Sequence, residues 1–72
     1  MNNKTIDLLN ETFIDFVLPD DLNSKLREIS GWDSLTSFML IDIAKENFGV
    51  LLEIRDLADM SLKDLDNVLN NY

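Results

Sequence analysis

Gly31-Trp32-Asp33-Ser34-Leu35, with the apolar-periodic run that follows it to Phe48, decides how this chain is read. Aspartate and serine are helix-capping types, because their short side chains accept N–H groups that the first helical turn leaves unpaired. Beyond them, Leu40, Ile41, Ala44 and Phe48 return at helical spacing, with Ser37 on the same side. Leu35 and Phe38 flank that stripe and Ile43 lies at its border, while Thr36, Met39, Asp42, Lys45 and Glu46 fall outside it. Gly49 is placed to close the helix in the left-handed conformation. The pattern predicts a helix over 34–48. With Asp33 as its cap, Ser34 is the first helical residue, and its hydroxyl points out at a corner that Gly31 lets turn sharply. Trp32 is positioned to cover the neighbouring core edge.

Outward from this stretch, the chain reads as more helix. Ile6, Leu9, Phe13 and Phe16 share one face, widened by Leu8 and Val17, so a first helix is expected over 5–17. Asn3 or Thr5 caps it, and Pro19 ends it by pushing its predecessor out of helical space. Residues 18–32 form a long connection with turn signals at Pro19-Asp20-Asp21 and Asn23-Ser24. Leu22, Leu26 and Ile29 are expected to be buried there, as a short helical turn or as pins holding an ordered loop. After the apolar connection Val50-Leu51-Leu52 come a short helix over 54–59 and a last one begun by Met60-Ser61. Ser61 and Asp64 fit the cap-plus-three pattern, and Leu62, Leu65, Val68 and Leu69 make the apolar face. Asn70-Asn71-Tyr72 is expected to fray. The fold class is all-α, a small bundle of three main helices plus one short helix with a long ordered first loop.

Composition narrows the function. The 72 residues make one domain, 1–72, with one small core, and a chain this short buries only about 60% of its unfolded surface. With no cysteine and no histidine, disulfides, thiolate chemistry, cysteine-rich zinc sites and Ser-His-Asp catalysis are excluded. No specific metal site is expected at Asp20-Asp21 or Asp56/Asp59, where no calcium-loop spacing exists. A net charge of −8 argues against nucleic acid and anionic membranes as partners and suits proteins with basic patches. No apolar run reaches the roughly 18 residues that span a bilayer, and Met1-Asn2-Asn3-Lys4 lacks a signal-peptide core. The expectation is a soluble, cytoplasmic monomer that is not itself an enzyme.

Asp33-Ser34-Leu35 after Gly31-Trp32, near mid-chain in a short acidic helical domain with a long first loop, resembles the site of acyl carrier proteins. The resemblance covers nearly the whole chain. It implies that Ser34 carries a 4'-phosphopantetheine arm, placed there from coenzyme A by a phosphopantetheinyl transferase that Asp33 and Leu35 help to recognise. The arm's thiol would hold an acyl group as a thioester and present it to an activating ligase, an acyltransferase or a ketosynthase. Trp32, Met39, Asp42 and Glu46 would dock such partners. Met39 and Lys45 stand where the better-known fatty-acid carriers have glutamates, which points to a specialised pathway, such as polyketide or other secondary metabolism, rather than housekeeping fatty acid biosynthesis. An aminoacyl or peptidyl carrier shares the fold and the serine. From a different class, an acidic helical module that binds partners without covalent modification fits the composition as well. Phe13, Phe38 and Phe48 are expected to point inward, either as simple core residues or, at Phe38, as a block that restricts cargo to short or polar groups.

Overall fold

The computed structural model describes residues Met1–Asn71. The helices are α1 (Asn3–Thr12), α2 (Ser34–Phe48), α3 (Ile54–Leu57) and α4 (Leu62–Asn70), with a 3-10 turn at Leu26–Glu28. The fold is therefore a small all-α domain of three main helices and one short helix. Helix α1 packs on α2 and α4, and α3 packs on α2. Between them Leu8, Leu9, Leu26, Leu40, Leu57, Leu62, Leu65 and Leu69 are fully buried, and Val50 and Ala44 complete the centre. The core is almost wholly leucine, whose removal from water supplies about 1.5–3 kcal/mol per side chain.

Helix α1 is displaced towards the N-terminus relative to expectation. Neither Asn3 nor Thr5 caps it: the Asn2 side chain accepts the Lys4 N–H at 2.8 Å. Nor does Pro19 end it. The Thr12 hydroxyl turns back to the Leu8 carbonyl at 2.7 Å, and Phe13 leaves in extended backbone, its N–H still bound to the Leu9 carbonyl. The inward residues are consequently Thr5, Leu8, Leu9, Thr12 and Phe13, with Ile6 and Phe16 half-buried and Val17 exposed.

The long connection is ordered by the start of α4. Leu26 N–H binds the Met60 carbonyl at 2.9 Å, Leu62 N–H the Ser24 carbonyl at 3.0 Å, and Lys63 N–H the Leu22 carbonyl at 2.9 Å. Lys25 and Ser61 form an isolated antiparallel bridge. Of the two alternatives for this segment a short helical turn forms, and of the three side chains expected to be buried only Leu26 is, while Leu22 and Ile29 are half-buried.

Helix α4 starts as its sequence indicates, with Ser61 Oγ accepting the Asp64 N–H at 3.0 Å and Asp64 accepting the Ser61 N–H at 3.1 Å. Asn70, expected to fray, is its last residue, tied to Asp66 and to the Asn2 side chain. The frayed end expected at Tyr72 lies outside the described residues. Helix α3 ends at Leu57, two residues short of expectation.

Candidate functional site

Asp33 caps α2 and Ser34 is its first residue, as the capping pattern predicts. The cap is reciprocal. Asp33 Oδ1 accepts the Thr36 N–H at 2.8 Å, and the Thr36 hydroxyl accepts the Asp33 N–H at 2.9 Å. The same hydroxyl lies 3.0 Å from the Gly31 carbonyl, to which it can donate, so Thr36 ties down both ends of the turn that precedes Ser34. The Thr36 N–H also holds the Asp33 carboxyl below the usual carboxylate range.

Gly31 enters the turn at φ +93°, a conformation that other residues reach only with strain. Trp32 then lies stacked on Phe13, ring centres 6.0 Å apart and planes 28° apart. Phe13 meets the indole from the extended backbone that follows α1. Trp32 is half-buried and covers the core edge beside the site.

These fixings surround a serine that is itself free. Ser34 is exposed, and its hydroxyl has no hydrogen-bond partner among the described residues. The other serines differ. Ser37 is 4% exposed and donates to the Asp33 carbonyl at 2.6 Å, and Ser61 is 7% exposed and caps α4. Ser24 is half-buried, and Ser30, exposed and likewise without a side-chain hydrogen bond among the described residues, differs in lying before the turn, outside any helix.

A hollow of about 400 Å³ opens beside Ser34, lined by Trp32, Asp33, Ser37, Phe38, Ile54 and Ala58. Phe38 forms its apolar wall because it is turned out of the core, 60% exposed. The expectation that Phe38 points inward with Phe13 and Phe48 is thus wrong at Phe38, while Phe13 is buried and Phe48 half-buried. Four residues after Ser34, Phe38 shares the serine's face, and the smaller Ser37 takes the inward place. The idea that Phe38 crowds the core and so limits cargo loses its basis.

Leu35 is 68% exposed and Met39 37% exposed, both lining a second hollow on the α1 side of Ser34. Asp42 and Glu46 are exposed further along α2, outside both hollows. The structure therefore gathers Trp32, Asp33, Ser34, Leu35 and Met39 around the N-terminus of α2 and leaves Asp42 and Glu46 apart. Sequence reasoning missed Thr36, Phe38 and Ile54 as neighbours of Ser34. Thr36 was readable as a cap-plus-three partner with a hydroxyl in place of a carboxylate, and Phe38 as the fourth residue after the serine. Nothing local marks Ile54, which tertiary packing brings in.

No helix among the described residues is long and apolar enough to cross a membrane, and no cluster of potential metal-ligating side chains is present among them. Comparison of the chain with protein-family models, with curated proteins and with solved structures gave no match. The functional reading therefore rests on the residues and their arrangement.

Proposed function

We infer that this chain is a carrier domain whose Ser34 receives a 4'-phosphopantetheine arm and which presents acyl groups, held as thioesters on that arm, to partner enzymes. The observation that carries the reading is the contrast at the start of α2. The Ser34 hydroxyl is exposed and unbonded, while the turn behind it is locked by the Asp33–Thr36 pair and the Phe13–Trp32 stack. A tether needs both properties, since the oxygen must be reachable and its position must be fixed.

The chain has no histidine to act as base for its own serine. In the modification, Ser34 Oγ–H gives its proton to a base of the transferase and attacks the phosphorus of coenzyme A that bears pantetheine. The Oγ–P bond forms as the P–O bond to the adenosine 3',5'-bisphosphate breaks. Once bound, the arm supplies a thiol that holds the acyl group. The domain performs no catalysis in this account, and it works as a monomer in the cytoplasm.

The helix dipole favours an anion on Ser34 by about 0.3–1 kcal/mol. The adjacent Asp33 carboxylate opposes it, because two unit charges at close range in water repel by up to about 1 kcal/mol. The two effects are of one size, so anion stabilisation does not single out Ser34; what separates it from the equally exposed Ser30 is its place on the locked turn at the start of α2. Beside it, Trp32, Phe38 and Ile54 offer apolar surface along which an attached arm can lie.

Asp33 and Leu35 flank the serine for the transferase, and Trp32, Met39, Asp42 and Glu46 are the docking residues for ligase, acyltransferase or ketosynthase partners. Lys45 on the outer face of α2 supports a dedicated rather than a general fatty-acid partner set. An aminoacyl carrier uses the same serine and arm. The exposed apolar groups around α2, Leu35, Phe38 and Met39, support the other reading, a module that binds partners without modification. Incubation with a broad-specificity phosphopantetheinyl transferase and coenzyme A, followed by intact-mass measurement, separates the two. A carrier gains the mass of one arm, and a non-covalent module gains none.

A further inference from the structure

The hollow on the α1 side of Ser34 measures about 520 Å³. Leu35 and Met39 form its α2 wall, Phe13 and Ile14 the opposite wall, and Glu11 and Asp15 stand exposed among its lining residues. Ile14 is 92% exposed, more than any other large hydrophobic side chain among the described residues. Its position follows from its neighbours. Phe13 is drawn inward against Trp32, and Asp15 takes a left-handed backbone at φ +55°, which aspartate tolerates better than most residues. Backbone geometry thus holds an isoleucine in water beside two further exposed apolar side chains, the kind of patch that marks a binding surface.

Two features say what covers it. Leu35 follows Ser34 directly, so a protein surface that reaches the Ser34 oxygen also covers the edge of this hollow. The charge around it has one sign, since Glu11 and Asp15 line the hollow and no lysine or arginine does. Arg27 and Lys25 are engaged elsewhere, on Ala58, Asp59 and the loop before α4. The chain as a whole carries −8. Such a surface complements an apolar side chain ringed by cations.

We propose that this hollow is where the enzyme that modifies Ser34 grips the domain, through an apolar side chain seated between Ile14 and the Leu35–Met39 wall and cationic side chains facing Glu11 and Asp15. The proposal rests on the carrier reading of Ser34. It adds a recognition element on the far side of the serine from Phe38, in a segment that follows α1 and belongs to no helix.

The test is the steady-state rate of arm transfer to the full chain by a broad-specificity transferase with coenzyme A, as a function of carrier concentration. Ile14→Asp lowers kcat/KM about tenfold, chiefly through KM, the loss typical of one interface anchor. Ile14→Leu restores it, and Leu51→Asp, at a site 69% exposed outside the hollow, leaves it unchanged. Both aspartate variants keep the wild-type circular dichroism and melting temperature, because neither side chain is buried. Wild-type kcat/KM in Ile14→Asp overturns this proposal and leaves the carrier reading standing. Absence of any transfer to the wild-type chain overturns both.

Discussion

The Thr5 hydroxyl donates to Asp66 Oδ1 at 2.7 Å, joining the first turn of α1 to the middle of α4. The same oxygen accepts the Asn2 N–H at 2.9 Å, so one carboxylate closes the two ends of the described chain on each other. Thr5 is fully buried and Asp66 half-buried. The pair is therefore asymmetric. Asp66→Ala strands a buried hydroxyl and costs about 1–3 kcal/mol, whereas Thr5→Val leaves a carboxylate that water can reach and costs under about 1 kcal/mol. Urea unfolding followed by circular dichroism orders the two variants, and equal losses would show that the hydroxyl is not sealed from solvent.

The same carboxylate sets a pH dependence. Burial alone would raise the Asp66 pKa, but the Thr5 hydroxyl, the Asn2 N–H and the nearby N-terminal ammonium outweigh it and lower the value. Asp33 and Asp64 are lowered too, by the Thr36 and Ser61 N–H groups they accept. A carboxyl with a depressed folded pKa adds stability that is complete above its unfolded pKa of about 3.9 and lost as pH falls through the lower folded value. Acidification also relieves repulsion in a chain of charge −8, which works the other way. The informative quantity is thus the stability difference between wild type and Asp66→Asn. It should be constant from pH 7 to about pH 5 and shrink below about pH 4, and a difference that grows on acidification would contradict the assigned hydrogen bonds.

Gly31 is predicted to be costly to replace for backbone reasons alone. A Cβ there would meet Phe13 Cδ1 at 3.7 Å, an ordinary contact, so space is not the obstacle. The obstacle is φ +93°, and Gly31→Ala should lose about 1–2 kcal/mol by the strain of left-handed backbone. Arm transfer to Ser34 should slow as well, since the turn that fixes the serine is the part disturbed. A shift in the urea midpoint with an unchanged slope is the expected signature.

Much of this arrangement was legible in the sequence where the signals are local. The Asp33 cap, the first helical position of Ser34, the left-handed Gly49 and the Ser61–Asp64 box each follow from a few adjacent residues, and each is present. Burial of Leu26 followed from the need of a long loop to be anchored. What failed depended on distant partners. The apolar stripe of α1 continues through Phe16, yet the helix stops at Thr12 and Phe13, in extended backbone, stacks on Trp32, a partner that no local pattern reveals. Phe38, expected to point inward with Phe13 and Phe48, lies outside, as its spacing of four from the exposed Ser34 implies.

The placement of Phe38 yields a sharp comparison with its neighbour two residues on. Leu40 is fully buried, so Leu40→Ala should cost about 2–5 kcal/mol. Phe38→Ala removes a larger side chain but one that is 60% exposed, and it should stay within about 1 kcal/mol of wild type. Melting temperatures of the two variants check this. A Phe38→Ala loss equal to that of Leu40→Ala would place the ring back in the core.

Carrier function requires modification of one oxygen among five serine hydroxyls. Its most direct test is fragmentation mass spectrometry of the chain after treatment with a phosphopantetheinyl transferase and coenzyme A. The arm is expected on Ser34 alone, with Ser30 and Ser37 unmodified in the same molecule and no modification of Ser34→Ala. An arm on Ser30, or a wild-type chain that stays unmodified, would contradict it.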